Sequence, residues 1–138
     1  AFHTELQAPV AAQGRAMLSP GLFTQPDLPL IDGRGEIWWP KTVSTEALWD
    51  YTLGAQVTES YDFTRAVTVV AREFAPDLFI VTGPGTTLGG AVAQSLILAN
   101  WRGMTGKEDF KSVQEASPVL ASMGLPEQRA TVSGAGMR

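Results

Sequence analysis

Few side chains in this 138-residue sequence can carry acid–base or nucleophilic chemistry. His3 is the only histidine, and cysteine is absent. Thiol nucleophiles, disulfides and thiolate metal ligands are therefore excluded. With a single imidazole, a zinc site would need three carboxylate or water ligands, outside the usual zinc chemistry. Neither a metal nor a cofactor is expected. What remains is one imidazole, a group able to accept and return a proton near neutral pH. No serine stands with glycines two before and two after it, so the turn that presents a nucleophilic serine in many acyl-transferring enzymes is missing.

Other clusters invite a chemical reading and fit a structural one more simply. Gly83-Pro84-Gly85 lies between an apolar run and a helical pattern, where free N–H groups at a helix start can cradle an anion. A phosphate loop would need Gly-Lys-Ser/Thr at its end, and no lysine is near; Gly83, Gly85 and Gly89 leave three residues where a dinucleotide fingerprint allows two. A tight strand-to-helix turn accounts for these glycines. Asp27, Asp32 and Glu36 suit turns as well as an acid–base set. Trp38 and Trp39 suit strand burial or an interface as well as a ligand platform.

Charge and hydropathy narrow the partners. The net charge of −4 and the absence of any basic run argue against nucleic acid. Arg102, Lys107 and Lys111 are the local positive charges that an acidic carrier could use, and a solvated helix face explains them equally. The apolar stretch from Ala91 to Ala99 is broken by Gln94 and Ser95 and is too short to span a bilayer. No basic segment followed by an apolar one marks a secretion signal, so a cytoplasmic location is the default expectation.

The elements that must position these residues are well punctuated. Pro9 suits the first turn of a helix ending near Leu18, where Ser19-Pro20-Gly21 stops it. Leu28 to Asp32 and Glu36 to Trp39 read as two short strands about an Asp32-Gly33-Arg34-Gly35 turn, a hairpin. Ser44 caps a helix to about Leu53, with Glu46 in its first turn. After Ser60, the residues Phe63, Ala66, Val67, Val70 and Phe74 recur at helical spacing. Leu78 to Val81 reads as a parallel strand covered on both faces, followed by a helix with Leu88, Val92 and Leu96 on one side. Thr105 and Glu108 form a capping-box pattern ahead of Phe110 and Val113. Ser117-Pro118 reads as the start of a short helix ended by Gly124, and Thr131 to Ser133 as a last strand before a loose terminus after Gly134. The fold class expected is α/β, a parallel strand flanked by helices plus a short hairpin.

Three segments, in order, resemble one family. Ala1-Phe2-His3-Thr4-Glu5-Leu6-Gln7-Ala8-Pro9 is similar to the segment carrying the catalytic base of malonyl-CoA:acyl-carrier-protein transacylases. Gln56 followed by Phe63-Thr64-Arg65-Ala66-Val67 resembles that family's Gln-Leu-x-x-Pro-Val-x-Trp-x-x-Ser-Val, with Ser60 in place of proline and Phe63 in place of tryptophan. Phe79-Ile80-Val81-Thr82-Gly83-Pro84-Gly85-Thr86-Thr87-Leu88 resembles its last core strand and Gly-Pro-Gly-x-x-Leu turn. The likeness covers residues 1–98 and implies that they are the C-terminal part of an acyltransferase core; residues 99–138 lie beyond it and are read, by local pattern alone, as a helical extension of the same domain. It implies His3 as the general base, the Gln56 main-chain carbonyl as its orienting partner, and Phe2 as a wall of the acyl pocket that favours malonyl over methylmalonyl. The nucleophilic serine, the arginine for the malonyl carboxylate and the oxyanion-hole donors are expected in a missing N-terminal part. That part, malonyl-CoA and acyl-carrier protein are then the partners, and the chain alone is expected to be inactive. From the residues alone, a non-catalytic α/β module binding a carrier protein or a catalytic partner half is the alternative.

Overall fold

The computed structural model of the chain describes residues 2–134. The chain divides into two compact units, residues 1–66 and 67–138. Each mixes helix with a two-stranded sheet, so the fold is α/β in the broad sense.

In the first unit, a short 3-10 turn at Glu5–Gln7 leads into α1 (Ala8–Met17), with Pro9 in its first turn where a missing N–H costs nothing. The hairpin is present but shorter than its apolar runs suggest. β1 (Leu30–Ile31) pairs antiparallel with β2 (Ile37–Trp38), Ile31 opposite Ile37. The turn between them is organised by Asp32, which is 4% exposed. Its carboxylate accepts from the Arg34 and Glu36 N–H groups at 2.8 and 3.1 Å, from the Arg34 guanidinium at 2.7 Å, and from the Trp38 indole at 3.2 Å. Turn chemistry thus explains Asp32. α2 (Thr45–Leu53) starts where the Ser44 hydroxyl accepts from the Ala47 N–H, as its capping residue predicts. Gly54 breaks it, and one further turn, α3 (Ala55–Thr58), follows.

α4 (Phe63–Val69) continues as a π-helical turn over Val70–Phe74, and the division between the units falls within it. The second unit pairs β3 (Phe79–Val81) in parallel with β4 (Leu120–Ser122), Ile80 opposite Ala121. α5 (Thr87–Leu98) links them together with α6 (Lys107–Ala116). Val92, Leu96, Met104, Val119 and Ala121 make the core here.

Several expectations are corrected in this unit. β3 is not covered on both faces, since Ile80 is 47% exposed. Leu88 is likewise exposed, at the open start of α5, while Val92 and Leu96 are buried. The capping box expected of Thr105 and Glu108 does not form: Gly106 is the N-cap of α6 and no side chain caps it, the Thr105 N–H and hydroxyl donate to the Asp109 carboxylate at 2.8 and 2.7 Å, and Glu108 meets Lys111. No helix starts at Ser117-Pro118. Proline disfavours the helical region for the residue before it, Ser117 is extended, and the apolar residues that follow become β4. Gly124 ends no helix; a Cβ there would lie 2.9 Å from the Gly85 carbonyl carbon, so it is glycine to admit that backbone. The strand expected at Thr131–Ser133 is the end of α7 (Pro126–Ser133), with proline in its first turn and Gly134 left-handed at its close. The terminus expected to be loose after Gly134 lies outside the described residues.

Candidate functional site

The site is assembled by the carbonyls of a very short helix. α3 has a single turn, so its last carbonyl groups find no helical donor. The Gly54 and Ala55 carbonyls are used locally, by Val57, Thr58 and Glu59. Gln56 and Val57 turn theirs toward the N-terminal segment. The Val57 carbonyl accepts the Thr4 N–H at 3.2 Å, and the Gln56 carbonyl lies 2.5 Å from His3 Nδ1. His3 itself adopts a left-handed backbone, φ 60°.

A carbonyl oxygen only accepts, so this contact requires the proton on Nδ1. Nε2 then carries the lone pair and is the nitrogen able to take a proton. The partner is main chain, which leaves the Gln56 side chain without part in it. Phe2 meets the imidazole edge-on, ring centroids 4.9 Å apart, and is itself 57% exposed. The structure therefore brings together all three residues singled out from the sequence.

A third residue contacts the imidazole. Tyr61 lies with its ring centroid 5.5 Å from that of His3, the planes tilted by 50°. Burial raises its phenol above the ordinary value, with the neighbouring Tyr51 and Asp32 adding to the effect. Nothing in the sequence pattern marks it beyond its place shortly after Gln56.

Beside His3 opens a cleft of about 420 Å³ lined by His3, Thr4, Glu5, Thr58, Glu59 and Ser60. It carries two carboxylates and no lysine or arginine, so a cation for an anionic substrate must come from elsewhere. Behind Gln56 and Tyr61 is a smaller cavity of about 140 Å³, reached by Asp32, Trp38 and Tyr51. Among the described residues no three metal-ligating side chains converge.

Of the cations considered for an acidic carrier, Arg102 and Lys111 are engaged within the chain. Arg102 stacks on Trp101 at 4.3 Å and donates to the Pro76 carbonyl at 3.2 Å. Lys111 pairs with Glu108 at 2.9 Å. The Gly83-Pro84-Gly85 turn packs against Gly124. Comparison with protein-family models, curated proteins and solved structures gave no match to this chain.

Proposed function

We propose that this chain carries the general-base part of a malonyl-transferring acyltransferase, with His3 as the base. The observation that carries this reading is the His3 Nδ1–Gln56 carbonyl contact, which holds the ring in one tautomer with Nε2 free. In the proposed reaction, a serine supplied by residues outside this sequence loses its hydroxyl proton to His3 Nε2 as its oxygen attacks the malonyl thioester. The carbon–sulfur bond breaks, and His3 returns the proton to the departing coenzyme A thiolate. In the second half-reaction the thiol of the acyl-carrier protein gives its proton to His3 and takes the malonyl group, and the serine is re-protonated. No other group on this chain is asked to move a proton.

Two features support a covering partner that completes the core. Parallel strands are normally buried on both faces within larger sheets, whereas the β3–β4 pair has two strands and leaves Ile80 half-exposed. Leu6, Met17 and Leu22 are 82%, 73% and 64% exposed, apolar surface of the kind that marks an interface.

The test uses the polypeptide that joins these residues to its nucleophile, mixed with malonyl-CoA and followed by intact mass. An acyl-enzyme should form, and His3→Ala should slow it about 10²- to 10⁴-fold, the usual worth of a positioned base. Gln56→Ala should acylate nearly as wild type, since the carbonyl remains. Acylation unaffected by His3→Ala would sink the reading. Absence of any acyl-enzyme, with tight binding of the carrier protein, would leave a non-catalytic binding module.

A further inference from the structure

We infer that Tyr61, braced by the Asp32–Gly33 turn, is a positioning residue for His3; the inference rests on the general-base reading above. One hydrogen bond to Gln56 fixes a point on the imidazole and its tautomer, but not the plane of the ring. The terminal torsion of histidine is broad, so the ring can pivot about that bond and swing Nε2 aside. A base displaced by about 1 Å can lose about 10²-fold in rate, so a second contact is needed. Phe2 is a poor candidate, being more than half exposed and next to His3 in the chain. Tyr61 is half-buried and comes from a separate segment.

What holds Tyr61 is visible on its other side. Gly33 is buried, and a Cβ at that position would run into the Tyr61 ring, 2.8 Å from Cγ and 2.9 Å from Cε2. Gly33 has no left-handed φ, so its glycine character serves close approach and not backbone freedom. Its carbonyl accepts the Asp62 N–H at 2.9 Å, which ties the turn to the residue following Tyr61. Its own N–H donates to the Tyr51 hydroxyl at 3.0 Å. Asp32 anchors the same turn through its four donors. The imidazole thus leans on a ring that leans on a fixed backbone.

The brace acts through the flat ring, not the hydroxyl, and the variants are chosen for that. Tyr61→Phe should keep kcat and KM. Tyr61→Leu, which fills space without a planar face, and Gly33→Ala, which displaces the ring, should each lower kcat about 10- to 100-fold with KM unchanged. On the ¹⁵N-labelled chain, the His3 Nδ1–H resonance should persist in wild type and Tyr61→Phe and exchange faster in the other two. Backbone spectra establish which variants are folded; a purely structural role would reduce the folded fraction and leave the His3 resonance of folded molecules alone. Wild-type kcat and Nδ1–H exchange in folded Tyr61→Leu and Gly33→Ala would overturn the inference. So would a Tyr61→Phe protein as impaired as Tyr61→Leu. If wild type forms no acyl-enzyme, the function fails and the resonance still decides the brace; if His3→Ala is dead and Tyr61→Leu is not, only the brace fails.

Discussion

His3 has one proton to share between two ring nitrogens in its neutral form, and the Gln56 carbonyl decides which nitrogen keeps it. The same accounting of donors and acceptors explains why Gln56 matters through its main chain alone. In the proposed function Phe2 has a different role, through bulk. Its ring stands edge-on to the imidazole at 4.9 Å, where under that proposal it would crowd an α-methyl branch on the acyl group. In the active polypeptide, Phe2→Ala should therefore narrow the preference for malonyl-CoA over methylmalonyl-CoA. A methyl-sized contact is worth about 1–3 kcal/mol, so the ratio of kcat/KM values should fall about 10- to 200-fold. Competition between the two thioesters measures it directly, and an unchanged ratio would remove Phe2 from the pocket.

At the scale of elements, the short strand β4 shows how side chains can replace a sheet. With one neighbouring strand, its backbone needs other partners. Gln114 of α6 supplies them at its start, accepting the Val119 and Leu120 N–H groups at 3.0 and 3.1 Å and donating to the Leu120 carbonyl at 2.7 Å. Gln128 of α7 accepts the Ser122 N–H at 2.7 Å at its end. Gln114→Ala leaves those groups unpaired in a half-buried site and should cost about 1–3 kcal/mol, seen as a lower denaturation midpoint with an unchanged slope. A loss of only a few tenths would mean water takes over the bonds. These glutamines also explain what the sequence hides. Helices announced by capping residues and apolar spacing, such as α2 and α5, are legible locally. β4 is not, because its extended state depends on pairing with β3 and on glutamines from two other elements, while Ser-Pro and a nearby glycine imitate a helix start and stop. The site divides in the same way. The contact of His3 with the Gln56 carbonyl is the one that the resemblance leads one to expect, whereas Tyr61 and Gly33 meet only once the hairpin turn has closed.

At the scale of the whole molecule, the two units differ in how their titrating groups are held. In residues 1–66, burial opposes ionisation of Asp32, but the bonds from the Arg34 guanidinium and from the Arg34 and Glu36 N–H groups outweigh it and hold the carboxyl below its ordinary 3.8. A carboxyl depressed by folding stabilises fully above 3.8, and that contribution drains as the pH falls through the folded value. Tyr51 and Tyr61 lie in the same unit, and burial, their largest influence, raises both above the ordinary 10.0. Folding favours their neutral forms, so this stabilisation is complete below 10.0 and is lost as the pH rises through the higher folded values. Among the described residues of 67–138, the displaced group is Asp109, lowered by its bonds from the Thr105 hydroxyl and N–H while fully open to solvent, where such bonds contribute little. The first unit should therefore be the pH-sensitive one at both extremes. Methyl carbon–proton spectra, taken from neutrality to below pH 3.8 and separately to above pH 10.0, should lose dispersion at residues 1–66 before 67–138. In an Asp32→Asn chain the acid-side difference should vanish and the alkaline one should shrink but persist, because burial, the largest influence on both tyrosines, stays while the smaller contribution of the Asp32 charge is lost. Earlier loss in 67–138 on the acid side would mean that the Asp32 cluster is not what limits the first unit.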